Sequence, residues 1–453
     1  MVPTSLAVFT RDLRVRDNPV LSAAASAGPV VPAFILDDDI VRRFRSHASR
    51  LAFLVDSLAD LSHSLSDLGG TLIIRRGRWI EEVMALAAES GADVIHLADD
   101  YSAYARKRLG RLERAAAQER IEVRRHAGVT LAEPGSLRPA GGSAYQVFGP
   151  YYRRWQSAPV PAEAPAPRHL TVPRQVRHGR LPRLSELTDA SPAPHRPPGG
   201  EHAALDRLRG WTAGGLADYA ASRDLLAVDG TSRLSAYLHL GCVSARTVAA
   251  QASGQAGAAE FTRQLAWRDF FHQLLAARPE TAWTDLRSRG DQWRKDSSAL
   301  RAWREGRTGY PVVDAAMRQL ASEAFMDNRA RMIVASFLTK DLYLDWRAGA
   351  RHFMSALADA DVAANQLNWQ WVAGTGTDAS PHRVFSPIRQ SRRFDPTGGY
   401  LRRYLPELAG LPASQIHDPD PDSRRACGYP APIVDHGAAV AEFRSRISSR
   451  TGR

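Results

Sequence analysis

Short apolar runs alternate with amphipathic stretches over the first 125 residues of the chain. Apolar runs of roughly four to eight residues predict buried parallel strands, and longer stretches with apolar residues every three or four positions predict helices between them. The predicted strands are Leu6–Thr10, Val30–Leu36, Thr71–Ile74, Asp93–Leu97 and Ile121–Val123, and the predicted helices are His47–Leu68, Ile80–Glu89 and Ala103–Glu119. This alternation predicts an α/β doubly wound N-terminal domain, which we place at residues 1–128.

The pattern changes twice further along the chain. Residues 129–200 are predicted to form a long connector, because residues 157–200 are rich in proline, alanine and arginine, and such a composition buries little apolar area. Helical periodicity dominates residues 201–453, so the second domain is predicted to be all-α. A chain of 453 residues exceeds what one hydrophobic core usually supports, which agrees with two domains.

One stretch of this second domain has an unusual face. Asp361, Asn365 and Trp369 recur every four residues and would share one side of a helix. A carboxylate, an amide and an indole make a poor apolar core, because buried polar groups need hydrogen-bonding partners. A bound aromatic cofactor would supply those partners. The alternative is a solvated helix with one half-buried tryptophan.

The net charge of +12 predicts a polyanionic partner, with nucleic acid first among the candidates. Only three of the 60 basic residues are lysines. The arginine excess suits bidentate phosphate contacts, although a GC-rich genome would give the same bias. Two distant cysteines, Cys242 and Cys427, indicate neither a metal site nor a disulfide framework. With no uncharged span of membrane-helix length, we expect a cytoplasmic protein without a membrane partner.

Two segments carry side chains suited to a phosphate or a base. Thr231–Ser235 follows a turn and precedes a helix, so its hydroxyl and N–H groups could bind phosphate or simply cap the helix. Gln264, Trp267, Arg268 and Phe271 share one helix face, which could hold a nucleobase or pack against a neighbouring helix.

Two further observations concern charged residues. Arg331 and Asp341 are predicted to pair, because a lone buried arginine would be costly. Arg11–Asn18 stands where a glycine-rich phosphate fingerprint would follow the first strand, so a standard dinucleotide site is not expected there.

Ordered motifs along nearly the whole chain resemble the photolyase/cryptochrome family, specifically its bacterial class I-like cyclobutane pyrimidine dimer DNA photolyases. They are Thr231–Ser235, Trp267–Arg268, Glu305–Pro311, Val313–Leu320, Asn328–Met332, Asp345–Arg347 and Asp359–Asp378. The resemblance implies an antenna-type α/β domain and a helical domain that binds a folded-back FAD.

The resemblance also implies a role for individual positions. FAD contacts are implied at Tyr219, Thr231, Ser232, Arg233, Leu234, Ser235, Gln264, Arg268, Phe271, Asn328, Arg331, Asp341, Asp359, Asp361 and Asn365. Contacts to the flipped dimer and its DNA are implied at Arg223, Gln264, Trp267, Asn328, Arg329, Met332 and Trp371. Trp303, Trp346 and Trp369 match a chain of tryptophans that relays electrons inward from the surface, and with Asn365 and Gln264 they form the implied catalytic set.

Three positions depart from the pattern of the dimer-repairing enzymes. Gln264 stands where many of them have glutamate, Phe325 where they often have tryptophan, and Asp327 where histidine is common. Glutamine can donate a hydrogen bond to a thymine carbonyl but cannot transfer a proton as a carboxyl group could. Enzymes for the (6-4) photoproduct also carry glutamine there, yet they need two histidines at the places of Asn328 and Met332.

The resemblance therefore implies light-driven repair of pyrimidine dimers in DNA, by electron transfer from photoexcited reduced FAD. The alternatives are a blue-light photoreceptor of the cryptochrome kind and a (6-4) photolyase. For a second chromophore we expect an 8-hydroxy-deazaflavin, with methenyltetrahydrofolate or an empty pocket as alternatives. Its implied contacts are Phe34, Leu36, Arg50, Asp100 and Tyr101. A monomer is the family expectation.

Overall fold

The computed structural model describes residues 3–173 and 176–451. It confirms the predicted fold class: a parallel five-stranded sheet of order β3-β2-β1-β4-β5 is followed by a helical domain. The strands are β1 Thr4–Phe9, β2 Val30–Asp37, β3 Ile73–Gly77, β4 Ala92–Ala98 and β5 Glu122–His126. All five predicted strands are present, with ends shifted by up to three residues.

The N-terminal domain has five helices around the sheet. They are α1 Pro19–Ala27, α2 Asp38–Arg43, α3 Ala48–Asp67, α4 Trp79–Ser90 and α5 Ala103–Gln118. The last three confirm the predicted helices, whereas α1 and α2 were not predicted. Asn18 caps α1 by accepting from the backbone N–H of Leu21 at 3.0 Å, and Pro19 occupies the first turn. Both residues are standard signals for the start of a helix. The helix was not predicted because it is short and lacks an acidic residue in its first turn and a basic residue in its last turn.

The two faces of the sheet bury different side chains. Leu6 and Val8 of β1 pack with α4 and α5, whereas Ala7 and Phe9 face the opposite way, into a core that includes α1 and α3. This follows from the alternation of side chains along a strand. Every one of these four residues is at most 1% exposed, so the sheet is covered on both faces.

The segment predicted as a connector is largely irregular but contains helix α6, Phe148–Gln156. It also buries more apolar area than its composition predicted: Leu170, Val176 and Leu187 are each at most 3% exposed. These three residues are exceptions to the low apolar burial that the composition of the segment predicted. Leu170 and Leu187 join the core that includes α3, and Val176 joins the core on the opposite face of the sheet.

The described residues from 201 onward form helices, with one isolated bridge between Arg294 and Leu344. The helices are α7 Glu201–Gly214, α8 Tyr219–Ser222, α9 Ser235–Leu240, α10 Ala245–Ala252, α11 Ala258–Ala277, α12 Ser297–Arg304, α13 Pro311–Glu323, α14 Asn328–Ser336, α15 Trp346–Ala356, α16 Val362–Ala373, α17 Pro387–Phe394, α18 Gly399–Tyr404, α19 Ala413–Ile416, α20 Pro421–Cys427 and α21 His436–Thr451. Short 3₁₀ turns lie at Leu184–Glu186, Pro279–Ala282 and Pro406–Leu408, and a π-helical turn lies at Phe337–Asp341. None of the helices in the described ranges has both the length and the apolar character needed to cross a bilayer.

The loop after β1 joins the two domains. Arg11 donates to the carbonyl of His239 at 2.9 Å, and Arg14 donates to the carbonyl of Gly241 at 2.9 Å. Gly241 has a φ of +69°, and a Cβ there would lie 2.0 Å from the carbonyl oxygen of Arg11, so only glycine allows this close contact. Asp17 pairs with Arg246 at 2.8 Å. The charged loop that replaces a phosphate fingerprint thus serves to dock the helical domain.

Candidate functional site

The helical domain encloses a cavity of about 570 Å³ between α8, the loop before α9, and helices α11, α14 and α16. Of the implied FAD and DNA contacts, all except Asp341 line this cavity, as does Trp369. The predicted residues brought together are Tyr219, Arg223, Thr231, Ser232, Arg233, Leu234, Ser235, Gln264, Trp267, Arg268, Phe271, Asn328, Arg329, Arg331, Met332, Asp359, Asp361, Asn365, Trp369 and Trp371. Its volume is typical of small-molecule sites.

Asp341 is the exception, and the predicted ion pair between Arg331 and Asp341 is wrong. Asp341 ends the π-helical turn, which lies about three helical turns beyond Arg331. There it is buried and bonded to Nδ1 of His436, at the start of α21. Burial raises the pKa of Asp341, and His436 opposes that rise. Asp341 therefore ties α21 to the turn after α14 and does not reach the cavity.

Arg331 instead pairs with Asp359. Its Nη2 lies 2.8 Å from Oδ2 of Asp359, and its Nε donates to the carbonyl of Met326 at 2.7 Å. The Asp359 side chain is 3% exposed, and its second oxygen, Oδ1, is buried without a hydrogen-bond partner among the described residues. An unsatisfied buried carboxylate oxygen in a cavity wall is a ready acceptor for an N–H or O–H group of a ligand.

Asp361 anchors the start of α16. Its Oδ1 accepts from the backbone N–H of Ala364 at 2.9 Å, and its Oδ2 pairs with Arg11 of the N-terminal domain. The same oxygen lies 3.6 Å from Nδ1 of His239 and 3.5 Å from Nε2 of His272. Burial alone would raise the pKa of Asp361, but His272 and Arg11 outweigh it and hold that pKa well below its usual range. Burial lowers the pKa of His239 to about 4.

The other two residues of the stripe face the cavity further along α16. Nδ2 of Asn365 donates to the carbonyl of Ala350 at 3.1 Å, so its amide oxygen remains as the group for a ligand. The Trp369 ring lies against Gly349, where a Cβ would be 2.2 Å from Cη2 of Trp369. Gly349 thus lets α15 and α16 approach closely enough to hold this indole in the wall.

The loop before α9 is held by a neighbouring arginine. Arg207 donates to the carbonyls of Ser232, at 2.9 Å, and Thr231, at 3.1 Å. Arg233 lines the cavity with a left-handed φ of +51°. Its guanidinium pairs with Asp229 at 2.7 Å and Glu323 at 2.8 Å. Ser232 and Ser235 therefore line the cavity as hydroxyl-bearing residues, while the charge of Arg233 is already engaged by two carboxylates.

The predicted face of α11 forms one wall. Arg268 donates to the carbonyls of Val129 and Leu238, so it ties the connector and α9 to this wall. Burial lowers its pKa. Trp267 is half-buried and stacks on Phe148 of α6, with ring centroids 3.6 Å apart and an interplanar angle of 6°. Gln264 is half-buried at the rim of the cavity.

The two remaining departures from the family pattern also line the cavity. The Phe325 ring lies near two guanidinium groups, 4.6 Å from that of Arg233 and 5.8 Å from that of Arg331. Asp327 is buried and accepts from the hydroxyl of Thr231 at 3.3 Å. Burial raises the pKa of Asp327, and Arg233 opposes that rise.

The three predicted relay tryptophans lie in one core. Trp369 lines the cavity, and Trp303 meets it edge to face, with centroids 6.0 Å apart. Trp303 and Trp346 are both 0% exposed, so neither is the surface end of a relay, which corrects that part of the expectation. The half-buried Trp293, whose ring centroid is 5.0 Å from that of Tyr343, was missed because an indole's exposure cannot be read from sequence.

The implied antenna residues Arg50 and Asp100 meet the interdomain cluster around Arg11. Nη2 of Arg50 lies 3.2 Å from Nε2 of His239, and its Nη1 is buried without a hydrogen-bond partner in the described part of the chain. Burial lowers the pKa of Arg50 to about 10, with Arg11 adding to the shift. Asp100 pairs with Arg11 at 3.4 Å. Arg11, His239 and His272 were not predicted; the charged run directly after the central strand was the available signal.

The other three implied antenna residues are Phe34, Leu36 and Tyr101, and none of them forms an ion pair with Arg11. Phe34 and Leu36 of β2 belong to the core of the N-terminal domain. Tyr101 donates to Glu133 of the connector at 3.4 Å. None of the five implied antenna residues lines the cavity of the helical domain.

A second depression, of about 890 Å³, adjoins the cavity and shares Arg329 with it; we name it the basic recess. Its charged lining residues are Arg329, Arg383, Arg389, Arg393 and Arg444, and His382 and His436 also line it. The lining contains no carboxylate. Arg389, Arg393 and Arg444 form no ion pair with another residue in the ranges 3–173 and 176–451. Such a surface favours a polyanion.

Comparison with known proteins gives consistent matches along the chain. The family model for the FAD binding domain of DNA photolyase matches residues 261–449, and that for DNA photolyase matches residues 5–168. A deoxyribodipyrimidine photo-lyase of Streptomyces griseus is 48% identical, covering 97% of this chain and 98% of its own length. A bacterial class III photolyase from Agrobacterium tumefaciens has a TM-score of 0.91 at 34% identity, covering 100% of this chain and 98% of its own. A cryptochrome from Synechocystis has a TM-score of 0.91 at 29% identity, covering 98% and 99%.

Proposed function

Because the chain belongs to the DNA photolyase family, we propose that it repairs cyclobutane pyrimidine dimers in DNA in a light-driven reaction, with FAD bound in the cavity. The observation that carries the proposal is the composition of the cavity wall. Its deep side presents the buried polar groups of Asp359, Asp361 and Asn365, and its rim presents the half-buried indoles of Trp267 and Trp371. A polar aromatic cofactor and a flipped base could therefore occupy the same cavity.

The residues present fit FAD. The unpaired Oδ1 of Asp359 and the amide oxygen of Asn365 are acceptors for N–H or O–H groups, and Ser232 and Ser235 offer hydroxyl groups to phosphates. When bound there, FAD supplies on illumination the electron that splits the cyclobutane ring and takes it back afterwards. The side chains of the wall bind and orient the reactants and exclude water.

The lesion would be held at the rim. A damaged pair stacks poorly, so extruding it costs less than extruding a normal pair, and each base stacked on an aromatic ring gains roughly 1–3 kcal/mol. Trp267 and Trp371 supply such rings. Gln264 would donate its amide N–H to a pyrimidine carbonyl, which orients the dimer without moving a proton.

The basic recess supports DNA as the partner. It adjoins the cavity through Arg329, which also pairs at 2.7 Å with Asp224, another residue of the cavity lining. The three arginines of this depression that form no ion pair with the described residues would neutralise backbone phosphates and release their counterions. Arg223, which also lines the cavity, would add a further contact to the DNA backbone.

The tryptophan core would carry electrons inward to the cavity wall. Trp369 and Trp303 are in contact, and Trp346 begins the helix that packs on Trp369. We place the surface end at Trp293, because Arg294 beside it pairs with Leu344, two residues before Trp346. Trp293 is the half-buried member of this set.

For the antenna we propose an 8-hydroxy-deazaflavin beside Arg50, with methenyltetrahydrofolate or an empty pocket as alternatives. The buried, unpaired Nη1 of Arg50 favours an anionic chromophore, because a lone buried cation is costly. Absorption and mass spectra of the purified protein distinguish the three cases.

Two other functions remain as alternatives. The likeness to the Synechocystis cryptochrome favours, as a second candidate, a blue-light photoreceptor whose flavin photoreduction changes partner binding. A (6-4) photolyase is less well supported, because the rim carries Asn328 and Met332 and therefore no acid at those two positions.

The test uses reduced, FAD-loaded protein and three oligonucleotides that contain a cyclobutane dimer, a (6-4) photoproduct or no lesion. Illumination should restore thymine absorbance only with the cyclobutane dimer, and dark samples should not change. Flavin photoreduction without repair would favour the photoreceptor, and repair of the (6-4) product alone would favour the other lyase. Either result would overturn the proposal.

A further inference from the structure

Helix α6 carries three aromatic residues on one face. Phe148, Tyr152 and Trp155 follow the spacing i, i+4 and i+7, which places them in a line along a helix. Together with Trp267, these rings form a column in which each ring stacks on the next. The ring centroids of Trp267 and Phe148 are 3.6 Å apart, those of Phe148 and Tyr152 are 5.4 Å apart, and those of Tyr152 and Trp155 are 6.2 Å apart. The interplanar angles are 6°, 15° and 23°.

Both ends of this column are attached to α11. Trp267 belongs to α11, and Nε1 of Trp155 donates to Oδ2 of Asp269, two residues further along the same helix, at 3.0 Å. Asp269 is buried and also accepts from the backbone N–H groups of Leu131 and Ala132. A column that is attached to α11 at both ends cannot slide along that helix, so the orientation of the Trp267 ring is restricted.

An arginine covers the side of the column. The guanidinium of Arg263 lies 5.6 Å from the ring centroid of Phe148 and 5.3 Å from that of Tyr152, and Arg263 also lines the cavity. A close face-to-face pair such as Trp267 and Phe148, with centroids 3.6 Å apart, is not the offset or edge-to-face arrangement that two aromatic quadrupoles prefer. A nearby cation attracts the π-electrons of these rings and favours keeping the column together.

Phe148 covers one face of Trp267, which also lines the cavity and meets Phe270 at an interplanar angle of 88° and Phe271 at 32°. The opposite face is then the one that a base can stack on. An unsupported indole at an open rim would rotate about its side-chain torsions, and that freedom would be lost when a base binds. An indole that is held by Phe148 has lost this rotational freedom before the base binds.

We infer that Phe148 is a positioning residue for base stacking, which holds the Trp267 ring parallel to the plane that an extruded pyrimidine dimer takes up. The inference rests on the proposed function, because it takes the ligand to be that dimer. It assigns to the connector helix α6 a part in lesion recognition. The effect should appear in dimer affinity and not in flavin binding, because Phe148 acts through Trp267, which is assigned to the dimer and not to FAD.

The test compares Phe148→Leu, which removes the ring but keeps an apolar side chain, with Phe148→Tyr, which keeps the ring. Tyr151→Leu is the matched control, since Tyr151 lies on the same helix, is 1% exposed, and contacts Phe270 instead of Trp267. For each FAD-loaded variant, the dissociation constants for a dimer-containing and an undamaged oligonucleotide are measured in the dark. Thermal unfolding and flavin content are recorded in parallel.

We expect Phe148→Leu to weaken dimer binding by roughly three- to tenfold while leaving undamaged DNA unchanged, which is the size expected from immobilising one side chain. Phe148→Tyr should match the wild type, and Tyr151→Leu should lower thermal stability without changing the ratio of the two constants. An unchanged ratio in Phe148→Leu, or an equal change in Tyr151→Leu, overturns the inference alone. A wild type that binds both oligonucleotides equally overturns the proposed function and the inference with it.

Discussion

Replacing Asp359 by asparagine separates two interactions that this carboxylate makes at the cavity wall. Its Oδ2 holds Arg331 at 2.8 Å, and its Oδ1 is buried without a partner among the described residues. Asparagine keeps the shape and one acceptor oxygen but removes the charge. The first interaction belongs to folding, and the second is available to a ligand, so the substitution should affect apoprotein stability and flavin affinity by different amounts.

The magnitudes follow from burial. Breaking a fully buried ion pair costs about 3–5 kcal/mol. The Arg331 side chain is 27% exposed and keeps its bond to the Met326 carbonyl, so we expect a loss of only about 1–2 kcal/mol in the free energy of unfolding of the apoprotein. A hydrogen bond to a charged group contributes about 1.5–3 kcal/mol, so the variant should bind FAD about 10- to 100-fold more weakly.

The assay is urea unfolding of the apoprotein together with FAD titration followed by flavin fluorescence. Asp345→Asn is the matched control, because Asp345 also pairs with an arginine, Arg347, at 3.1 Å but lies outside the cavity lining. The control should lose a little stability, about 0–1 kcal/mol, and no FAD affinity. If Asp359→Asn binds FAD as tightly as the wild type, the unpaired oxygen is not a flavin contact and the reasoning is refuted.

Three further predictions follow from the charges and the tryptophan core. Replacing Arg389 and Arg444 by alanine should make the slope of log DNA affinity against log salt concentration less steep, by about 1 for each phosphate that is no longer neutralised. The change should be equal for damaged and undamaged DNA. An unchanged slope in fluorescence anisotropy titrations would contradict DNA binding along the basic recess. Burial lowers the pKa of His239 from 6.5 to about 4, so the unfolded chain takes up a proton at this side chain before the folded protein does. The free energy of unfolding is therefore unaffected by this group above pH 6.5 and falls as the pH drops from 6.5 toward 4. His239→Gln should reduce the difference in this free energy between pH 7 and pH 5 by about 2 kcal/mol, measured by urea unfolding. Trp303→Phe should slow photoreduction of oxidised flavin but leave repair by chemically reduced protein intact; equal loss of both in steady-state assays would place Trp303 in packing alone.

The sequence pattern predicted elements wherever one periodicity persisted long enough. The buried strands stand out because apolar side chains fill both faces of the sheet, and α3, α4 and α5 because each keeps an apolar stripe over three turns or more. Helix α2 has six residues, too few for a stripe to repeat. Helix α6 had a readable aromatic spacing, but the proline-rich composition around it hid the signal.

At the candidate site, the sequence pointed to residues that the structure brings together in one cavity, but it did not give their partners. The four-residue spacing of Asp361, Asn365 and Trp369 follows from one helix and needed no tertiary information. The pairing of Arg331 depends on where two separate segments meet. Asp341 was the nearer carboxylate along the chain, yet the π-helical turn before it carries it to α21, and the more distant Asp359 takes its place.

The cluster around Asp361 shows why this limit is physical. A buried carboxylate must have partners, because its desolvation would otherwise raise its pKa and neutralise it. That requirement can be read from the sequence once the residue is placed on a buried helix face. Its cationic partner, Arg11, lies 350 residues earlier, at the end of the central strand, where side chains of a parallel sheet commonly meet a ligand. Here the helical domain occupies that position, so the charge that could have bound a phosphate instead holds the first turn of α16, and with it the wall that carries Asn365 and Trp369.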